Sequence, residues 1–122
     1  MAGSSRVPLR GEVWRILTPG RSRDPHQPRP ALCVSADVRN RNRDHALFVP
    51  IYSRGRPGPT RVVLSRGMGG LPHDSIAFCE EVTTLDFDFL AEGPLGDVVP
   101  ERVLREAVLA LRRAVGDVVL ND

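Results

Sequence analysis

The sequence predicts an α+β fold: a small antiparallel sheet or barrel followed by one amphipathic helix. Three observations lead there. Short β-branched, aromatic and aliphatic runs recur between residues 12 and 81, separated by Gly- and Pro-rich connectors. Only residues 100–115 carry a sustained helical period. With 122 residues, 41% hydrophobic and 26% charged, the chain makes one globular domain with a core that needs no staples.

The elements follow in order. Residues 1–9 contain Gly3, Ser4, Ser5 and Pro8 and read as a disordered tail. Residues 12–18 (EVWRILT) form a first strand, with Val13, Arg15 and Leu17 on one face and Trp14 and Ile16 on the other. Gly11 permits a close approach or bulge at its start. Residues 19–28 (PGRSRDPHQP) are a loop longer than a hairpin needs, hence functional or mobile. Pro30–Ser35 is a buried strand; Pro30, with fixed φ and no N–H, fits its first position. Residues 36–44 (ADVRNRNRD) are too polar for the core and read as a short helix or turn.

Ala46–Ser53 is a third strand, and Pro50 inside it predicts an edge or a bulge. Residues 54–59 (RGRPGP) are a tight basic loop, and Thr60–Ser65 a fourth strand. Residues 66–73 (RGMGGLPH) connect to a fifth strand at Ser75–Glu81, and Leu95–Val98 offers a short sixth. The helix begins at Pro100, a favoured first helical residue. Glu101 suits its positive start, Arg112 and Arg113 its negative end, and Gly116 a C-terminal cap. Val103, Leu104, Ala107, Val108, Leu111 and Val115 share one face, the expected core stripe. Val99 is a poor N-cap, so the helix entry relies on packing.

Charge is segregated along the chain. Every Lys/Arg position is Arg. Residues 1–66 hold 13 Arg against four acids, net +9; residues 67–122 hold four Arg against 11 acids, net −7. A basic half suits a polyanion. A GC-rich genome also explains Arg in place of Lys, but not the segregation. No apolar run approaches the roughly 18 residues of a membrane span. The polar N-terminus lacks the apolar stretch of a signal peptide, so a cytoplasmic location is expected. Cys33 and Cys79 each lie in an apolar run and read as buried, reduced thiols rather than a disulfide.

Several chemistries find little support. His26, His45 and His73 share no metal-ligand spacing, and the cysteines are far apart, so no metal or cofactor is expected. Residues 66–70 (RGMGG) lack the Lys and following helix of a phosphate loop. His73, Asp74 and Ser75 are consecutive and point in different directions, which argues against a nucleophilic triad. Arg29 is different. It precedes Pro30, is biased towards an extended backbone, and sits where a polar loop enters a sheet. A guanidinium at such a rim either grips phosphate or pairs with a carboxylate at the strand end. Arg29, the loop from Asp24 to Gln27, Ser53, Arg54, Arg56 and Glu80 can converge at one sheet end and fit single-stranded nucleic acid.

Five segments in register resemble the MazF/PemK family of type II toxins. They are RGEVW at 10–14, RPALCVS at 29–35 with Asn42 as the Asn that follows, VPIYSRGRPGPTRVVL at 49–64, GLPHDSIAFCEEVTTLD at 70–86, and the closing segment GDVVPERVLREAVLALRRAVG. The resemblance covers residues 9–116 and implies an SH3-like antiparallel barrel of the CcdB/MazF type. It implies a single toxin domain at 10–117, with a C-terminal tail at 118–122. It also implies a homodimer, a metal-independent endoribonuclease acting on single-stranded RNA such as mRNA, and a cognate antitoxin that covers the groove. Family catalytic positions carry over to Arg29 and Ser53. Asp24, His26 and Glu80 are auxiliary candidates, and Arg54 and Arg56 candidate RNA contacts. Thr83-Thr84 stands where the family has Arg-Thr, and Asp24-Pro25-His26-Gln27 where a Glu-Gln pair is common. Leu109 and residues 118–120 offer apolar surface for a subunit contact or for packing within one chain. Two other functions fit the same fold: a CcdB-like gyrase inhibitor, and an RNA-binding module without chemistry.

Overall fold

The computed structural model describes residues 6–18 and 27–118. Seven strands form: β1 (Val13–Ile16), β2 (Arg29–Cys33), β3 (His45–Tyr52), β4 (Arg61–Leu64), β5 (Ser75–Phe78), β6 (Thr83–Asp86) and β7 (Leu90–Glu92). Two helices join them, α1 (Asp37–Arg41) and α2 (Glu101–Ala114). The strand order is β4-β5-β3-β2-β1-β7, with β6 also on β3, and every pairing is antiparallel. Among the described residues no pairing joins β4 to β7, so the sheet is an open path rather than a closed barrel.

Alternation along the strands sends side chains into two cores. Val13, Leu32, Val49, Ile51, Val62, Leu64 and Ala77 pack with Val103, Leu104, Ala107 and Ala110 of α2. On the opposite face Trp14, Ile16, Ala31, Cys33, Ala46, Phe48 and Leu85 form a second cluster, capped by Phe87, Phe89 and Leu90. Both faces of the central strands are therefore dry, which explains their near-continuous apolar sequence. Cys33 and Cys79 are free and buried. Burial pushes both thiols up, Cys79 to about 12, so they stay protonated and inert at neutral pH.

Several expectations are corrected. β3 is central rather than an edge, despite Pro50. Its residues 45–48 pair with β6 and its residues 51–52 with β5, so Pro50 falls where that side of the strand changes partner. The missing N–H leaves no gap in either ladder there. Leu95–Val98 is not a strand; isolated bonds from the Leu95 and Val99 N–H groups to the Val13 and Gly11 carbonyls tether it beside β1. The unexpected strands β6 (TTLD) and β7 (LAE) are short and mostly exposed, so no apolar alternation marks them. On α2 the buried stripe is Val103, Leu104, Ala107 and Ala110, whereas Val108 is 39% and Val115 77% exposed. Pro100 is the N-cap, not the first helical residue, and no side chain caps it. Gly116, at φ +83°, ends the helix as expected: its N–H bonds the Arg113 carbonyl and that of Asp117 the Arg112 carbonyl.

Two polar features lie where no core signal is legible in the sequence. Asn40 of α1 is fully buried, although residues 36–44 read as too polar for a core. The last part of the expected tail is also anchored, because the Pro8 carbonyl accepts from Asn40 Nδ2 at 3.0 Å. Asn42, by contrast, is exposed and donates to the Val38 carbonyl.

The connection between β4 and β5 depends on Gly70. It holds φ +88°, and a Cβ there would run into the Leu95 carbonyl. Gly70→Ala is expected to lower stability by about 2 kcal/mol or more, from the left-handed backbone and the backbone clash together. Urea unfolding of the variant checks this.

Candidate active site

Strand register builds the site. β2 and β3 pair Ala31 with Pro50, and extending that register sets Arg29 opposite Tyr52 on the same face. The Arg29 guanidinium carbon accordingly lies 4.8 Å from the centre of the Tyr52 ring. β3 and β5 pair Tyr52 with Ile76, so the next step sets Ser53 opposite Ser75. Arg29 opens β2, Ser53 follows the last residue of β3, and Ser75 opens β5. Three strand ends thus bring polar groups to one end of the sheet.

Two adjoining clefts share Arg29 and Ser53. One, of about 320 Å³, is also lined by Arg15, Pro28, Pro30, Ile51, Leu71, Pro72, His73 and Ser75. The other, of about 410 Å³, is completed by Tyr52 and Arg54. Arg29 is half-buried, while Ser53, Arg54 and His73 are exposed. Arg15 is 3.3 Å from Glu92. A larger hollow of about 440 Å³ lies elsewhere, between β4 and α2, and contains none of these groups.

The Tyr52 ring is itself held. Its hydroxyl donates to Glu81 Oε1 at 2.6 Å, and its ring meets Phe78 edge-on with centroids 4.6 Å apart. Gly55, at φ +132°, brings the basic loop onto Phe78, where a Cβ would sit 2.6 Å from the ring. Arg61 covers Phe78 at 3.8 Å. Alternating cations and rings therefore back the cleft and fix the direction of Arg29.

Not every expected residue joins. Arg29, Ser53 and Arg54 converge, but Arg56 lines neither cleft; its carbonyl accepts from Arg61 Nη1 at 3.0 Å. Glu80 is also outside both. Arg61 donates to Glu80 Oε2 from Nε at 3.0 Å and Nη2 at 2.7 Å, and Thr60 Oγ1 donates to Oε1. The Arg61 bond holds the Glu80 carboxyl below its usual range, which makes it a weak proton acceptor. Asp24 and His26 lie outside the described residues; the Thr18 N–H bonds Gln27 Oε1 at 2.7 Å across the base of their loop. Among the described residues no group of His, Cys, Asp or Glu is placed to hold a metal ion.

The Glu80 linkage has a definite sign. A lowered folded pKa contributes stability above the unfolded carboxylate range and loses it as pH falls through the folded value. Glu80→Gln is therefore expected to destabilise the protein at neutral pH and to converge with wild type in acid. Paired urea titrations at the two pH values measure this.

In the sequence His73 is a candidate only for a metal site or a triad, neither of which finds support. Its place in the Arg29 cleft depends on the Ser53–Ser75 register across β3 and β5. No local motif encodes that register.

A family model for the PemK-like, MazF-like toxin of type II toxin–antitoxin systems matches residues 9–115. The chain belongs to this family. No curated protein matches the sequence. Among solved structures, the toxin is similar to an endoribonuclease from a mycobacterial species at 28% identity and TM-score 0.73, covering 91% of this chain and 93% of that one. An endoribonuclease in complex with its cognate antitoxin, also mycobacterial, matches at 29% identity and TM-score 0.73 over 89% and 95%. MazF from Deinococcus radiodurans matches at 26% identity and TM-score 0.74 over 91% and 98%. Their fold is the antiparallel sheet with one C-terminal helix described above. No helix of the described residues is long and apolar enough to cross a membrane.

Proposed function

We propose that this toxin is a metal-independent endoribonuclease that cuts single-stranded RNA, mRNA among its targets, at specific short sequences. The observation that carries the reading is the convergence of Arg29 and Ser53 in one cleft at the open end of the sheet. Likeness above 25% identity to two endoribonucleases supports it.

The reaction follows from RNA chemistry. The 2′-OH attacks the adjacent phosphorus, the P–O5′ bond breaks, and a 2′,3′-cyclic phosphate and a 5′-OH result. A site for this must align the attack, stabilise extra negative charge and move a proton. Arg29 takes the second task, because its planar fork matches two phosphate oxygens and Tyr52 fixes its direction. It also protonates the leaving O5′. Ser53 hydrogen-bonds the phosphate or orients the 2′-OH. Arg54 contacts a flanking phosphate.

The toxin works as a homodimer in the cytoplasm, and a cognate antitoxin covers the cleft. The mycobacterial endoribonuclease solved with its antitoxin supports that partner. End-group analysis tests the reading. RNA treated with the full-length protein in excess chelator is expected to carry cyclic phosphate and 5′-OH ends. Loss of cleavage with chelator contradicts it, and so does a 3′-OH paired with a 5′-phosphate.

A further inference from the structure

We propose that His73 is the proton acceptor of the site, removing the 2′-OH proton as the 2′ oxygen attacks phosphorus. The inference rests on the ribonuclease reading above and names the group that reading leaves unassigned.

Of the two clefts that share Arg29 and Ser53, the one lined by His73 has three titratable side chains among its described lining, Arg15, Arg29 and His73; the other adds Arg54 and Tyr52, whose hydroxyl donates to Glu81. A guanidinium is already protonated at working pH, so it can give a proton to a leaving alkoxide but cannot accept one. Ser53 and Ser75 need a base themselves. Glu80, an earlier candidate, is engaged by Arg61 and Thr60 outside the cleft. His45, the other described histidine, contacts Arg39 at 3.0 Å and lines neither cleft. An imidazole accepts and releases protons near neutrality, which suits the task.

His73 is also held in place. Its carbonyl accepts from Ser75 Oγ at 2.8 Å at the start of β5. The neighbouring Asp74 carboxylate accepts from the Arg66 N–H at 2.8 Å, and the Gly67 N–H bonds the Leu71 carbonyl at 2.8 Å. Leu71 is buried in the main core. The connection is therefore stitched at both ends, and the imidazole is presented from an ordered backbone. The charged groups that line its cleft are Arg15 on β1, paired with Glu92 of β7, and Arg29 on β2; Asp74 adjoins it in its own connection.

The step balances without a further reactant. His73 takes the 2′-OH proton, the 2′-O–P bond forms and the P–O5′ bond breaks. O5′ receives a proton from Arg29, and solvent carries the imidazolium proton back to restore both residues.

The test uses the full-length protein. A long mixed-sequence transcript, cut in chelator, locates a cleavage step. A short RNA spanning that step, and its twin with 2′-deoxyribose there, are the probes. His73→Ala and His73→Gln are expected to cut about 10²–10⁴-fold more slowly in single turnover. Both are expected to bind the deoxy twin as wild type does and to unfold at the wild-type temperature. The acid limb of the wild-type rate profile is expected to vanish in both variants. Free imidazole is expected to restore part of the His73→Ala rate. Wild-type rates in either variant overturn the assignment. A uniformly slower variant that keeps the acid limb also overturns it. If wild type leaves no cyclic phosphate, the ribonuclease reading falls and this role with it. If wild type does so and the variants match it, only the role of His73 falls.

Discussion

Arg29→Ala is expected to slow RNA cleavage by about 10²–10³-fold, the usual loss when a preorganised donor to a developing negative charge is removed. The expectation rests on position. Arg29 opens β2 beside Pro30, faces Tyr52 across the β2–β3 register, and lines both clefts. Half-buried at a rim, it lies in neither core cluster, so the variant is expected to remain folded. Arg29→Lys is not expected to restore the rate. An ammonium lacks the planar fork that meets two phosphate oxygens and stacks on a ring. Single-turnover cleavage and urea unfolding, run on the same preparations, separate a lost catalytic group from a lost fold.

Asn40→Ala is expected to cost about 2–4 kcal/mol, the largest loss here for a residue outside the hydrophobic cores. Asn40 is fully buried, and its Nδ2 donates to the Pro8 carbonyl at 3.0 Å and the Ser35 carbonyl at 3.2 Å. Its Oδ1 accepts from Ser35 Oγ at 2.6 Å, and that hydroxyl in turn accepts from the Leu47 N–H at 3.0 Å. One amide thus joins the N-terminal segment, the end of β2, α1 and β3. Alanine takes the amide donor from two carbonyls and the acceptor from the Ser35 hydroxyl proton, all in a dry site. Asn40→Asp tests the same network differently: it keeps the shape but replaces the donating amide by a charge. It is expected to destabilise at neutral pH at least as much as alanine. Urea unfolding of both variants measures this. Asn42→Ala, which removes only an exposed bond to Val38, serves as the contrast with little effect.

The sequence made some of this legible and concealed the rest for physical reasons. β1 to β5 announce themselves because both faces of the central strands are dry, which demands apolar residues at nearly every position. β6 and β7 gave no such signal, since three of four and all three of their residues lie at least partly in solvent. Pro50 points to an edge or a bulge because a proline's local rule does not register that a long strand can change partners midway. The helix was plain from its period, but its phase was not. Val108 faces solvent while the smaller Ala110 takes the close contact with the sheet. Hydrophobicity alone ranks those two residues the wrong way round.

The site divides in the same way. Arg29 was legible because a loop, a proline and an apolar run meet at one point. Ser53 is legible as a polar residue at a strand end, its catalytic role only through the family resemblance, and His73 only through cross-strand register. Glu80 reads as an available base in the sequence because its partner, Arg61, lies 19 positions away on β4. Pairings across strands decide which charges are engaged, and sequence proximity does not report them.

A single 2′-deoxy substitution tests the central claim most directly. The claim is that the RNA's own 2′-OH is the nucleophile and the Arg29 cleft organises its attack. A short RNA spanning one mapped cut and its twin lacking only that 2′-OH are incubated with the full-length toxin. The twin is predicted to bind as well as the parent and to remain uncut at that step. Cleavage of the twin at the parent's rate would mean that water or a protein group is the nucleophile, and would contradict the account.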